Sequence, residues 1–297
     1  WIRPGVTSSR VDIYDITTQN WSTTELSLSR NVSTSIAAGN KVFFAGGWSQ
    51  SGGPSSRVDI YDVSSNTWST AELSEPRYGI AAAMVGNKVF FAGGGDGSNM
   101  VTNKVDIYDL SSNTWSTAIL SQARADLAAT TAGNKIYFAG GWDYSNGPTS
   151  DRIDIYDNAT GTWSISSLST PKAYLANIFK NGKIYWTGGW VNTDPTGSLR
   201  TCQVEIQAIN TQTSSFVNLF QPNSVVGAFE KDNRIAFLPG WIYAPNGNFD
   251  IYDIGSSIWS IGVVPQNIGK PTSISVNNII YVAGGLTNVV QVWKLEF

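Results

Sequence analysis

The sequence predicts an all-β chain assembled from six repeated four-stranded units, and three observations carry that expectation. Among 297 residues there are 29 Gly, 12 Trp, 12 Tyr and 12 Phe against only 14% charged residues, a composition of tight turns and aromatic packing. A block of V-D-I-Y-D, then Trp, then a run closing on Gly-Gly recurs along the chain with a period of about 47 residues. Between these marks lie short alternating or β-branched segments bounded by Gly and Asn, with no helical stretch separating the blocks.

The marks keep constant spacing. Tyr14, Tyr61, Tyr108, Tyr156 and Tyr252 are each followed seven residues later by Trp21, Trp68, Trp115, Trp163 and Trp259, and Ile209 with Phe216 keeps that spacing in degenerate form. Glycine pairs stand at Gly46-Gly47, Gly93-Gly94, Gly140-Gly141, Gly188-Gly189 and Gly284-Gly285, with Pro239-Gly240 in the remaining slot. In the second repeat, residues 79–85 are small and apolar and predict strand a, and the alternating residues 88–92 predict strand b. The β-branched and aromatic residues 105–108 predict strand c, and residues 114–116, with the Trp, predict strand d. The a–b turns read Gly39-Asn40, Gly86-Asn87, Gly133-Asn134, Asn181-Gly182, Asp232-Asn233 and Asn277-Asn278, residues that accept the positive φ of a two-residue hairpin. Asp followed by a polar run, as at 62–66, makes the c–d turn.

One four-stranded unit cannot bury both of its faces, so six in succession without helices pack radially as a β-propeller. Strand a lies nearest the axis, which suits the small residues Ala37-Ala38, Ala81-Ala82-Ala83 and Ala128-Ala129. The glycine pairs end strand b where neighbouring backbones approach closely. Tyr on c and Trp on d fill the wedges between blades. Residues 1–297 read as one propeller domain of about six repeats, its ring closed by pairing of the N- and C-terminal strands. A surplus c-like strand at residues 289–295 leaves a second count open, seven blades with the chain truncated upstream.

Hydrophobic strand, Gly-Gly and Tyr-x6-Trp in this order resemble the kelch repeat. The resemblance covers essentially the whole chain, and five repeats match both halves of the motif. It implies a propeller, commonly six-bladed, whose function is most often binding, and it identifies no ligand.

Composition narrows the chemistry. The absence of His and the single cysteine, Cys202, remove His-based metal sites, Ser-His-Asp triads, Cys-His pairs and any intrachain disulfide. No cofactor is expected, and Cys202, without a basic neighbour to activate it, reads as a small packed residue. Twenty-two acidic and 19 basic residues leave a net charge of −3, too little field to make nucleic acid an expected partner. Apolar stretches such as residues 279–283 fall far short of the roughly 18 residues of a membrane helix. The triplets at Asn20, Asn31 and Asn158 would accept glycans only in a secretory setting.

Alternating strand direction brings the b–c and d–a loops out at one end, where variable loops favour a site. Two series of side chains stand there. Trp48, Trp142, Trp190 and Trp241 follow the glycine pairs, and Arg30, Arg77, Arg124 and Lys172 precede strand a, with Lys270 close to its slot. As ligand-binding residues they would stack on sugar rings or hold carboxylates. As architecture, the cations would pair with a neighbouring blade and the Trp rings would cover the glycine backbone. The opposite end alternates Lys41, Lys88, Lys135, Lys183 and Arg234 with Asp15, Asp62, Asp109, Asp157 and Asp253, a solvated surface. The strand-c Asp (Asp12, Asp59, Asp106, Asp154, Asp250) is repeated so uniformly that it reads as architectural.

The favoured function is a non-catalytic interaction propeller that engages a protein segment or glycan through the b–c/d–a end. It would work alone or as part of a larger protein or assembly. Low charge and abundant Ser, Thr and Asn favour an extracellular or cell-surface location, with a cytoplasmic one left open. Two alternatives stand beside it: a structural spacer, and an enzyme similar to the kelch-like sialic acid mutarotases. In the latter, Glu230 with Arg77 or Arg124 would supply acid/base and anion-binding groups.

Overall fold

A computed structural model of the chain describes all residues except 1–6, 50–51, 99, 144–148, 195–196, 221–224, 240–247, 264–271, 277–278, 285–290 and 296–297. Among the described residues every regular element longer than a turn is a strand, and no helix is long and apolar enough to cross a membrane. Six sheets have four strands. The chain forms two compact parts, one of Trp1–Phe138, Trp142–Pro148 and Asp154–Ile165, the other of Ala139–Gly141, Thr149–Ile153 and Ser166–Phe297.

The first part opens with the hairpin β1 (Ser8–Asp15) and β2 (Asn20–Asn31). A blade follows, its strands a to d being β3 (Thr34–Ala38), β4 (Lys41–Ala45), β7 (Arg57–Asp62) and β8 (Thr67–Glu72). Its b–c loop carries the short strands β5 (Trp48–Ser49) and β6 (Gly53–Pro54). The end of β2 pairs with β5 through Arg30 opposite Ser49 and Asn31 opposite Trp48, so the opening hairpin builds its four-stranded sheet with that loop. The second blade is β9 (Ala81–Val85), β10 (Lys88–Ala92), β11 (Lys104–Asp109) and β12 (Thr114–Ile119). The third is β13 (Ala128–Ala132), β14 (Lys135–Ala139), β15 (Arg152–Asp157) and β16 (Thr162–Ser167).

The second part continues with β17 (Ala176–Lys180) and β18 (Lys183–Thr187), then a hairpin in the b–c loop, β19 (Trp190–Asp194) and β20 (Gly197–Arg200). β21 (Gln203–Ala208) and β22 (Ser214–Asn218) complete that blade. The next blade is β23 (Val225–Lys231), β24 (Arg234–Pro239), β25 (Asn248–Asp253) and β26 (Ile258–Val263). The final sheet has three strands, β27 (Thr272–Val276), β28 (Ile279–Gly284) and β29 (Gln291–Leu295), and β29 takes the strand-c place beside β28.

Local chemistry sets these boundaries. β9 begins at Ala81 rather than at residue 79 because Gly79 takes φ +67° and breaks the extended run. Gly39, Gly86 and Gly133 hold φ of 59°, 57° and 60° at the first position of their two-residue turns, the type II′ requirement. Asn181-Gly182, with φ of 51° and 73°, meets the type I′ requirement instead. The Tyr-x6-Trp motif is a cross-strand pair: Tyr61 lies opposite Trp68 and Tyr108 opposite Trp115, with ring centroids 4.9 and 5.1 Å apart.

Apolar faces of successive sheets pack together. Phe43, Val58 and Leu73 of the first blade meet Val89, Phe91 and Tyr108 of the second, whose other face sets Phe90 and Val105 against Ile136, Phe138 and Tyr156. In the second part Tyr185 and Val204 pack on Ile235, Phe237 and Tyr252. Burial at this last site pushes the Tyr185 phenol up to about 12.

The c–d turns are closed by aspartates. Asp62 Oδ1 accepts the N–H groups of Ser64 and Ser65, and Asp109, Asp15 and Asp253 do the same in their own turns. The Ser64 hydroxyl on Asp62, and the backbone N–H groups of Thr18, Ser111 and Ser256 on Asp15, Asp109 and Asp253, hold these carboxyls below their ordinary range. A folded-state value below the unfolded one, about 3.9, gives stability that is present above that pH and is lost as pH falls through the folded value. Thermal unfolding is therefore expected to shift to lower temperature below about pH 4, and an Asp62→Ala/Asp109→Ala variant should show a shallower fall. An unchanged acid profile in that variant would refute the turn account.

Candidate functional site

Among the described residues, five chain segments from strand d to the next strand a cross beside a strand-c carboxylate. Asp59 accepts the N–H of Ser27, Asp106 that of Ser74, Asp154 that of Ser121, Glu205 that of Ser169 and Asp250 that of Phe220. In the first three of these the cation preceding strand a closes on the same carboxylate. Arg30 Nη1 donates to Asp59 at 2.7 Å, with further bonds to the carbonyls of Gly46 and Phe44. Arg77 bonds Asp106 and the carbonyls of Gly93 and Lys104, and Arg124 bonds Asp154 at 2.7 Å and the carbonyl of Phe138. Arg77 and Arg124 are 1% and 0% exposed. Burial lowers the Arg77 pKa against the opposing pull of Asp106.

The fourth blade changes both partners together. Lys172 stands for Arg and Glu205 for Asp, and both are buried. Glu205 bonds the hydroxyls of Ser169 and Ser214, while Lys172 Nζ has no hydrogen-bond partner among the described residues. Burial lowers the Lys172 pKa, with Glu205 acting against it. The Asp250 carboxyl is raised by burial. The corresponding cation slot of its repeat holds Asn223, which lies outside the described residues.

The glycine pairs are clamped between consecutive crossings. Gly47 N–H donates to the carbonyl of Arg77, Gly94 to that of Arg124 and Gly141 to that of Lys172. A Cβ on Gly47 would lie 1.9 Å from the Asn31 carbonyl oxygen, and one on Gly46 would lie 2.6 Å from that of Arg77.

Among the described residues, the residue after a glycine pair bridges the residue after a cation in four places: Trp48 to Asn31, Gly95 to Tyr78, Trp142 to Ala125 and Trp190 to Ala173. Trp48, Trp142 and Trp190 are half-buried there. Trp48 meets Tyr78 edge-to-face at 5.5 Å, and Gly97 comes so close that a Cβ would lie 2.8 Å from the Trp48 ring. In the second part Trp190 meets Tyr174 edge-to-face at 6.4 Å. Trp241 and Lys270 lie outside the described residues.

The structure thus separates the two predicted series. Arg30, Arg77 and Arg124 turn inward onto carboxylates and carbonyls, whereas three of the Trp residues stand partly open at the loop end. Sequence reasoning missed Tyr78 and Tyr174 as ring partners. The signal was present, since Tyr78 follows Arg77 directly and Tyr174 follows Lys172 by two residues. It also missed Glu205, legible as the acidic residue that changes in the same repeat as Lys172. Glu230, considered as an acid/base group, forms an ion pair with Lys180 at 2.7 Å.

Four-stranded antiparallel repeats, joined by crossings locked on strand-c carboxylates, define a repeat β-propeller. The chain belongs to the kelch-repeat family: the family model described as the KLHDC2/KLHL20/DRC7 kelch-repeats domain matches residues 32–224. The solved structure described as "Structure of YjhT" is similar in fold, with a TM-score of 0.66 at 16% identity, over 89% of this chain and 97% of that one. No curated protein matches the sequence at a significant level.

Proposed function

We propose that the chain is a non-catalytic binding module that engages a protein segment or a glycan through the end where its b–c and d–a loops emerge. Membership of the kelch family supports an interaction role in general. The observation that carries the finer reading is the pairing of partly open aromatic rings at that end, Trp48 with Tyr78 and Trp190 with Tyr174, on loops anchored by rigid sheets. The enclosed Arg77 and Arg124 and the ion-paired Glu230 argue against the acid/base alternative. An extracellular setting is part of the same proposal.

The test is a glycan and peptide array probed with the chain, with Trp48→Ala and with Trp190→Ala, circular dichroism confirming the fold of each. The ligand should lose at least tenfold in affinity in one of the two variants, as expected when a stacking ring is removed. A ligand held equally well by both variants places function elsewhere, and no ligand on either array favours the structural spacer.

A further inference from the structure

Tyr174 combines two properties that rarely coincide. It holds φ +55°, a left-handed backbone that a bulky side chain adopts only under strain, and the residue is 45% exposed. The second and third crossings share this backbone, whereas Val32, in the same slot of the first crossing, does not take a positive φ. The same slot, two residues beyond the cation, holds Gly79 at φ +67° and Asp126 at φ +54°. Gly accepts that conformation without a Cβ penalty and Asp tolerates it, whereas Tyr174 keeps it with nearly half of its surface in solvent. A strained, exposed aromatic is a marker of function rather than of folding.

Its surroundings specify the chemistry. The Tyr174 ring meets Trp190, and Trp190 pairs through its backbone with Ala173 on one side, at 2.8 and 3.0 Å, and with Arg200 on the other. Directly paired residues of antiparallel strands hold their Cβ atoms about 5 Å apart, so the Arg200 side chain starts beside the Trp190 ring. Arg200 is half-buried and forms no hydrogen bond or ion pair with any described residue. It differs in this from Arg30, Arg77 and Arg124, whose guanidiniums are consumed inside the fold.

We propose that Tyr174, Trp190 and Arg200 form a subsite for a sugar ring that carries a carboxylate, which rests on the binding reading above. The aromatic rings take the C–H face of the pyranose, and the guanidinium takes the carboxylate through paired N–H groups. The subsite lies where β19 begins and β20 ends, at the Trp190–Arg200 pair, apart from the enclosed cations.

The test is calorimetric titration of the full chain with trigalacturonate and, as the matched neutral ring, galactotriose. The chain should bind trigalacturonate at least tenfold more tightly, and Arg200→Gln should abolish that preference while leaving the neutral affinity unchanged. Tyr174→Gly should weaken both sugars at least tenfold while raising the melting temperature by about 2 °C, because the strain is relieved. Tyr174→Asn, which also tolerates the backbone, should repeat the loss.

Equal binding of the two sugars, or an unchanged preference in Arg200→Gln, overturns the carboxylate assignment. Full affinity in a stabilised Tyr174→Gly overturns the subsite. Binding of an acidic peptide but of neither sugar overturns the proposal and leaves the binding module standing, whereas no binding of sugars or peptides removes both.

Discussion

Asp106→Ala is expected to lower the free energy of unfolding by about 3–5 kcal/mol, the range for stranding one partner of a buried ion pair. Three bonds end on this carboxylate: the Arg77 guanidinium and the N–H and hydroxyl of Ser74. Arg77 would keep its carbonyl contacts to Gly93 and Lys104 but lose its countercharge while 1% exposed. The crossing from β8 to β9 would lose its anchor at the same time. Urea unfolding measures the effect as a fall in midpoint with an unchanged slope. Asp12→Ala is the internal control, since Asp12 pairs with the exposed Arg10 and should cost under about 1 kcal/mol. An Arg77→Leu/Asp106→Leu double variant should recover much of the loss, because the penalty comes from an unpaired buried charge. Equal small losses at Asp12 and Asp106 would refute the anchoring role.

Gly47→Ala is expected to cost about 3 kcal/mol or more, from left-handed backbone strain and a steric clash acting together. Gly47 holds φ +108°, and its added Cβ would sit 1.9 Å from the Asn31 carbonyl oxygen and 2.8 Å from the Ser33 nitrogen. Both obstacles are backbone, so no rotamer change relieves them. Gly39→Ala separates the two contributions: φ there is +59° with nothing within 4 Å of the added Cβ, which leaves only the conformational cost, about 1 kcal/mol. Unfolding curves of the two variants should therefore differ by about 2 kcal/mol. Similar stabilities would mean that the crossings yield, contrary to a clamp between rigid segments.

The enclosed pairs carry a consequence for any ligand at the loop end. A partner that needs cations must find them outside Arg30, Arg77 and Arg124, whose buried guanidiniums serve carbonyls at the ends of strand b and carboxylates of strand c. Arg200 meets that need by its place in a loop hairpin rather than in the repeat.

Much of the molecule was legible in the residues alone. Strands a to d, the Gly-Asn and Asn-Gly turns, the Asp-led c–d turns and the Tyr–Trp pairs all depend on neighbours a few residues away or directly across a hairpin. Their signals therefore sit in short stretches of sequence. The glycine pairs were legible too, as a close approach, because a missing Cβ explains a pair that returns in five of six repeats. What tertiary structure alone decided is where the long side chains go. An Arg at the start of strand a has the same spacing whether it points into the loop mouth or onto a carboxylate about 29 residues further along. Burial chose the second, since a guanidinium withdrawn from water needs a countercharge and several acceptors, and the strand-c Asp with nearby carbonyls supplies both. The exposure and strain of Tyr174, and the pairing of Arg200 with Trp190, likewise arise from how a crossing and a loop hairpin meet, which no local pattern encodes.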